Sequence, residues 1–307
     1  MNLPSSFTTT ILNTYRDDGR RWLAELPALI DEASRRWGLT HITPVENLSY
    51  NFVAYADQPA PSGAQRSRGV VLKLGVPNPE LTSEMAALRC FDGDGAVRLL
   101  EADPERGMCL LERLHPGEML AALADDDQRT HLAADVMLRL WRPAPQGLPF
   151  IKLSDWFAGL DGLRPRFGGG TGSFPKRILE MAEALIPELF TTSSPPLLIH
   201  GDLHHFNILS SGRGWLAIDP KGVIGPPEYE VGPLLLNPWN EIKGADAIRI
   251  TERRIAILSE RLGFPRQRLR DWAVCHAVLS AWWNIEDNDE GSEYALACAE
   301  VYAQVKG

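Results

Sequence analysis

Near the start of the chain apolar residues recur at three- and four-residue steps. Trp22, Leu23, Leu26, Leu29, Ile30, Ala33 and Trp37 fall on one face. That spacing predicts a helix over 10–37, closed by Gly38, with a kink or a division into two short helices at Pro27. The period then changes. His41 to Ala56 is rich in apolar and β-branched residues and reads as two strands around a turn at Asn47–Asn51. Gln58 to Ser67 is a loop by composition. Gly69–Gly75 is a third strand with one lysine, Lys73, inside it. Pro77-Asn78-Pro79 is punctuation, after which Thr82 or Ser83 is expected to cap a helix carrying Glu84, Ala87, Leu88 and Phe91. Val97–Glu101 and Met108–Glu112 follow as strands joined by a turn at Asp103–Gly107. Residues 40–112 thus read β-β-β-α-β-β.

Beyond His115-Pro116-Gly117 the pattern is mainly helical, with helices expected over 118–124, 126–141, 151–160, 174–190, 245–262 and 266–287, and another at the end of the chain. Leu197–Ile199 and Trp215–Ile218 are short apolar strands on either side of a polar loop. The expectation is an α+β chain in two units: 1–114, a leading helix with a small sheet, and 115–307, mainly helical. A length of 307 residues suits two such units.

Charge and cysteine usage narrow the function. Thirty-one Lys and Arg against 40 Asp and Glu give a net charge of −9. That disfavours general nucleic-acid binding and favours a cationic small molecule. Cys90, Cys109, Cys275 and Cys298 lie far apart with no CxxC pair, which excludes a disulfide framework and zinc ribbons and suits a reducing compartment. No apolar run approaches the roughly 18 residues of a membrane span. Met1 to Asp18 lacks the basic and apolar regions of a secretory signal. A cytoplasmic location, with no membrane partner, is therefore expected.

The most informative segment is His200-Gly201-Asp202-Leu203-His204-His205-Phe206-Asn207-Ile208-Leu209, followed by Ile218-Asp219-Pro220-Lys221-Gly222. Two acids and an amide stand on loops between short apolar strands. Such oxygen ligands suit Mg²⁺, which is commonly held by one or two protein groups plus substrate phosphates. Zinc is disfavoured: His200 and His204 are four apart, but Gly201, the flanking strand and the missing Glu do not fit a helical H-E-x-x-H site. The glycine run 168–172 is not a phosphate-binding P-loop, since no G-K-[ST] follows, and no G-x-S-x-G marks a serine hydrolase.

The pattern H-G-D-x-x-x-x-N followed by a further Asp resembles the aminoglycoside phosphotransferase superfamily, from about residue 40 to the C-terminus. Within it, HGDLHHFNIL, IDPKG and Pro226-Pro227-Glu228-Tyr229-Glu230-Val231-Gly232 are most similar to the aminoglycoside/hydroxyurea kinases of streptomycin 6-phosphotransferase type. The resemblance implies a bilobal protein-kinase-like fold, with a small β-sheet N-lobe and a mainly helical C-lobe. It also implies ATP-dependent transfer of phosphate to a hydroxyl, with ATP and Mg²⁺ as cofactors.

Position by position, it implies that Asp202 orients the acceptor hydroxyl and takes its proton, and that Asn207 and Asp219 hold Mg²⁺. Lys73 would contact the α/β-phosphates, with Glu84 as its helical ion-pair partner. Glu112 to Leu114 would form the hinge at the adenine edge. Two features depart from the pattern. No G-x-G-x-x-G precedes Lys73, so phosphate contacts fall to the turn with Ser49 and Asn51. Asp219 is followed by Pro220-Lys221 rather than Phe-Gly, which stiffens that loop. Taken singly, Lys73 also fits an edge-strand lysine and Glu84 a solvated helix residue.

Two acidic clusters, Glu228 with Glu230 and Glu286-Asp287-Asn288-Asp289-Glu290, read either as solvated helix ends or as a wall for a cationic acceptor. Streptomycin carries two guanidinium groups, which carboxylates pair in bidentate fashion. Trp282 and Trp283 either cover sugar rings or pack in the core. The expected acceptor is a cationic aminoglycoside. A small-metabolite or hydroxyurea kinase is the alternative, and a non-catalytic nucleotide-binding module is disfavoured by the intact Lys73/Asp202/Asn207/Asp219 set.

Overall fold

Helix α1 (Ser5–Trp37) leads into strands β1 (Thr40–Pro44), β2 (Phe52–Gln58) and β3 (Arg68–Leu74), helix α2 (Pro79–Phe91), and strands β4 (Leu99–Asp103) and β5 (Met108–Glu112). The structure, a computed structural model, describes residues 3–59, 67–239, 241, 244–287 and 291–306. The five strands form one antiparallel sheet in the order β1-β2-β3-β5-β4.

The two-residue period of β3 sorts its side chains between two cores. Val70, Leu72 and Leu74 join Phe52, Met108 and Leu110 against α1. Val71 turns the other way with Cys109 and Leu111, toward α2 and the rest of the chain. Lys73 shares the face of Val71, opposite Cys109 in register, so the strand's alternation alone aims it at the cleft.

From the sheet the chain enters β6 (Pro116–Met119), a 3₁₀ turn (Leu120–Ala122) and α3 (Asp126–Leu140). Then come β7 (Ile151–Lys152), α4 (Leu153–Ala158), α5 (Leu163–Arg166) and α6 (Lys176–Thr192). Strands β8 (Leu197–Ile199), β9 (Ile208–Ser211), β10 (Gly214–Ala217) and β11 (Val223–Gly225) carry the loops of interest. Helices α7 (Val231–Leu235), α8 (Ala247–Leu262), α9 (Arg266–Glu286) and α10 (Ser292–Tyr302) complete the fold. The small sheets β10-β9-β6 and β7-β11-β8 hold the polar loops of residues 200–207 and 218–222 side by side.

Four expectations are corrected. The break in α1 falls at Arg16 (φ 53°), not at Pro27, which lies within continuous helix. Gly19 lets the leading arm fold close, since a Cβ there would stand 2.5 Å from the Ile11 carbonyl oxygen. Helix α2 begins at Pro79 and is capped by Asn78, whose Oδ1 accepts from Leu81 N at 2.9 Å, so neither Thr82 nor Ser83 is the cap. Residues 118–124 are not a helix, because Met119 pairs with Leu209 and pulls the segment into a sheet. Residues 151–160 open with a strand, because Ile151 pairs with Val223. In the last two cases pairing with a distant strand overrides a short, ambiguous local period.

Candidate active site

The loop after β8 is fixed from behind by a buried carboxylate. Glu230 accepts from His200 N at 2.7 Å and Gly201 N at 2.9 Å, and burial pushes its pKa up to about 7. His200 is fully buried. Its Nε2 donates to the Ile218 carbonyl at 2.9 Å and its Nδ1 accepts from Asp202 N at 3.2 Å. Burial holds it neutral, with a pKa near 3. The carbonyl of His200 accepts from Lys221 N at 2.8 Å, joining the two polar loops.

Glycine is required at Gly201 (φ +90°), where a Cβ would meet Val223 at 2.6 Å. The same holds at Gly222 (φ +66°), where it would meet the Ser83 carbonyl at 2.6 Å. That second close approach lets Ser83 Oγ donate to the Gly222 carbonyl at 2.6 Å, tying α2 to the loop.

On this frame stand Asp202, Asn207 and Asp219. Asn207 Nδ2 donates to the Asp202 carbonyl at 3.0 Å, which orients the amide within the loop. Asp202 lines a cavity of about 560 Å³. Desolvation raises the pKa of its carboxyl from the ordinary value. Asp219 sits at φ 60°, a strained setting for a residue with a side chain. Desolvation raises its carboxyl, but Lys73 and Lys221 outweigh that and hold it well below the usual range. Donor chemistry fits Mg²⁺: a carboxylate on Asp219 and an amide oxygen on Asn207 are hard ligands that leave most of the shell to water and phosphate oxygens.

Lys73, 5% exposed, donates to Glu84 Oε1 at 2.6 Å and Oε2 at 2.7 Å, and also to Asp219 Oδ1. Burial alone would lower its pKa, but Asp219 and Glu84 raise it well above normal. With two carboxylates sharing one cation, Glu84, the more buried of the two, is pushed up by desolvation to about 7.

The remaining expected site residues divide. Asn51 reaches the cavity, while Ser49 is exposed in the neighbouring turn and does not line it. Glu112 has its carboxylate engaged by Arg98 N at 2.8 Å and by Arg213, and Leu114 packs in the core, which leaves only backbone groups to face a ligand there. Glu228 and Glu230 are corrected: they are 1% and 0% exposed and off the cavity wall, with Glu228 accepting from Ser194 N at 2.8 Å. These carboxylates serve the backbone, not solvent. Glu286 lines a smaller cavity beside Leu12 and Arg16, Asp287 lines both cavities, and Asp289 lies outside the described residues. Trp283 faces the main cavity, packed edge-on against Trp156 at 5.2 Å, whereas Trp282 is buried in the core.

Sequence reasoning gave no role to several residues on the wall: Thr14 and Tyr15 from α1, Glu80, Trp156, His276 and Lys221. Only Lys221 carried a usable signal, by its place in IDPKG. Tyr15 OH accepts from Asn78 Nδ2 at 3.3 Å, which fixes α1 to the start of α2. No helix among the described residues is long and apolar enough to cross a membrane.

Residues 61–288 match the family model for aminoglycoside/hydroxyurea antibiotic resistance kinases. The chain is 32% identical over 300 residues to streptomycin 6-kinase of Streptomyces glaucescens, covering 94% of this chain and 92% of that one. It is 34% identical over 289 residues to hydroxyurea phosphotransferase of Kitasatospora aureofaciens, covering 92% and 80%. Among solved structures, a choline/ethanolamine kinase family protein from Mesorhizobium loti superposes with a TM-score of 0.63 at 14% identity, covering 90% of this chain and 95% of that one. The aminoglycoside phosphotransferase APH(4)-Ia, in a ternary complex with ADP and hygromycin B, gives 0.61 at 13% identity, covering 90% and 98%. At such identities these two likenesses speak for the fold.

Proposed function

We propose, from the premise that this chain belongs to the aminoglycoside/hydroxyurea antibiotic resistance kinase family, that it transfers the γ-phosphoryl group of ATP to a hydroxyl of a streptomycin-like aminoglycoside and so confers resistance. The observation that carries the acceptor is the cavity beside Asp202. Its wall holds the carboxylates of Glu80, Glu84, Asp202 and Asp287 and the indoles of Trp156 and Trp283, against a single lysine. Carboxylates pair guanidinium groups, and indole faces cover sugar rings and attract cations. A relative named for hydroxyurea supports a second reading. Hydroxyurea is small and neutral, however, and would leave the acidic wall without a partner.

Asp202 would orient the acceptor hydroxyl and take its proton, and the loop bracing by Glu230 and His200 keeps its position fixed before substrate arrives. Lys73, held by Glu84, would meet the α/β-phosphates. Asn207 and Asp219 would hold Mg²⁺, which when bound supplies positive charge to the phosphate oxygens. Phosphorylation would add negative charge to a cationic drug and weaken its contacts with an anionic target.

The test is an ADP-release screen over streptomycin, other aminoglycosides, hydroxyurea and neutral sugars, run with wild type and Asp202→Ala. Streptomycin should give the highest kcat/KM. Asp202→Ala should lose about 10²-fold or more in kcat while binding ADP almost normally. Turnover of hydroxyurea alone overturns the aminoglycoside reading, and a variant keeping more than about a tenth of wild-type kcat overturns the role of Asp202.

A further inference from the structure

We propose that Lys221 is a catalytic residue whose ammonium contacts the phosphoryl group as it passes from nucleotide to acceptor hydroxyl. The inference rests on the kinase reading above and extends it to a residue with no assigned role.

Charge placement points there first. Lys73 is surrounded by Glu84 and Asp219, 5% exposed, and off the wall of the main cavity. Among the described residues lining that cavity, Lys221 is the one lysine or arginine, and its side chain keeps 29% of its surface exposed. It also stands where carboxylates crowd. Asp219 is two residues before it in the chain, and Glu80 Oε1 accepts from its Nζ at 2.6 Å. Its Cβ lies 3.3 Å from where a Cβ on Gly201, the neighbour of Asp202, would stand. Lys73 and Mg²⁺ would serve the phosphates on the nucleotide side, and on the acceptor side, where Asp202 and Glu80 would repel the phosphoryl group, Lys221 is the cation that faces it.

Lys221 is held in place from both ends. Its backbone N donates to the His200 carbonyl at 2.8 Å, Pro220 restricts the loop before it, and Gly222 packs the loop after it against α2. Glu80, in the first turn of α2, holds the ammonium at the cavity wall. A lysine so held needs little reorganisation when charge develops beside it, which is the condition under which a fixed cation lowers a barrier most.

In the step itself the acceptor oxygen forms a bond to the γ-phosphorus. The bond from that phosphorus to the β,γ-bridging oxygen breaks, and its electron pair leaves with ADP. The hydroxyl proton passes to the Asp202 carboxylate. Charge spreads over the three equatorial oxygens of the phosphoryl group. Lys221 keeps one N–H on Glu80 and turns another of its three ammonium donors to these oxygens.

Lys221→Met keeps the stem and removes the charge. Two measurements decide. In steady state with the best acceptor from the screen, kcat should fall about 100-fold or more, with the KM values for ATP and acceptor changing little. In calorimetry, the variant should bind ADP within about threefold of wild type but lose about 100-fold in affinity for ADP with tetrafluoroaluminate, a mimic of the phosphoryl group in flight. A variant that keeps kcat within about threefold, or that loses ADP and the mimic equally, overturns the role. Should Lys221→Met fail to fold by circular dichroism, Lys221→Gln is read by the same two criteria.

The failures are separable. If wild type phosphorylates hydroxyurea rather than streptomycin, only the acceptor is wrong, and the Lys221 comparison is decided on hydroxyurea. If wild type binds no ADP and phosphorylates nothing, the kinase reading falls and this role falls with it.

Discussion

The trio Lys73, Glu84 and Asp219 is a closed network, with the lysine and Glu84 each 5% exposed and the ammonium bonded to both carboxylates. Beside it, with Glu84 on its wall as well, the cavity at Asp202 is open, and that wall comes from α1, the β1–β2 turn, α2, α4, α9 and the polar loops. Two of the three groups on the closed side are local, since the two-residue period of β3 aims Lys73 and Glu84 stands 11 residues on, and only Asp219 comes from far along the chain. The open side is organised by packing between elements that are distant in sequence. Under the proposed reading, this cluster of one ammonium and two carboxylates would fix the position of the nucleotide phosphates. Under the same reading, a ragged, solvated wall of mixed carboxylates and indoles would be where acceptor identity is set.

The comparison breaks most sharply through Lys73→Met. With the cation gone, two carboxylates face each other without their shared partner, and the charge proposed to meet the phosphates is missing. The expected result is a fall in kcat of about 100-fold with a raised KM for ATP, while the KM for streptomycin stays within about twofold. Unaltered ATP kinetics would make the closed side a structural ion cluster only.

On the open side the expected effect is smaller and falls on the other substrate. Asp287→Asn removes one exposed carboxylate from the wall. The KM for streptomycin should rise several-fold, with kcat and the KM for ATP nearly unchanged. Screening by salt acts over about 8–10 Å at physiological ionic strength, so added KCl should raise the wild-type KM for streptomycin and raise that of the variant less. A wild-type KM that is flat in salt would mean that the wall's charge is not what holds the acceptor.

This contrast also explains what was legible in the sequence. Asp202, Asn207 and Asp219 sit on loops whose flanking apolar strands and fixed spacing survive in one dimension, as do the strand carrying Lys73 and the helix carrying Glu84. The Glu228/Glu230 pair misled because a charged residue in sequence reads as solvated, and only the fold shows the His200 and Gly201 amides that Glu230 satisfies. Such burial is uncommon unless a carboxylate is fully partnered. Tyr15 and Thr14 were invisible as wall residues, because the helix that carries them reaches the cavity only through the break at Arg16. Trp282 and Trp283 are adjacent in sequence yet divide between core and cavity, a distinction set by the rotation of α9.

The smallest expected effect concerns His276, which lines the open side yet carries no charge there. It is 4% exposed, its Nδ1 lies 2.9 Å from Tyr229 OH, and burial pushes its pKa down to about 3. In the unfolded chain a histidine titrates near 6.5. The folded pKa is the lower one, so the unfolded state takes up the proton as pH falls below about 6.5 and the folded state does not. The contribution of His276 to stability is therefore complete above that pH and is lost as pH falls toward about 3. His276→Gln keeps a polar partner for Tyr229 and abolishes the titration. Between about pH 7.5 and about pH 5.5, urea unfolding should show wild type losing about 1.4 kcal/mol more than the variant. The KM for streptomycin of wild type and variant should agree at about pH 7.5, because a neutral ring on the wall neither attracts nor repels a polycation. Equal losses of stability would mean that His276 takes up its proton in the folded protein over the same pH range as in the unfolded chain, and below about pH 6.5 the wall would then present a second cation and suit a cationic acceptor less well than its carboxylates suggest.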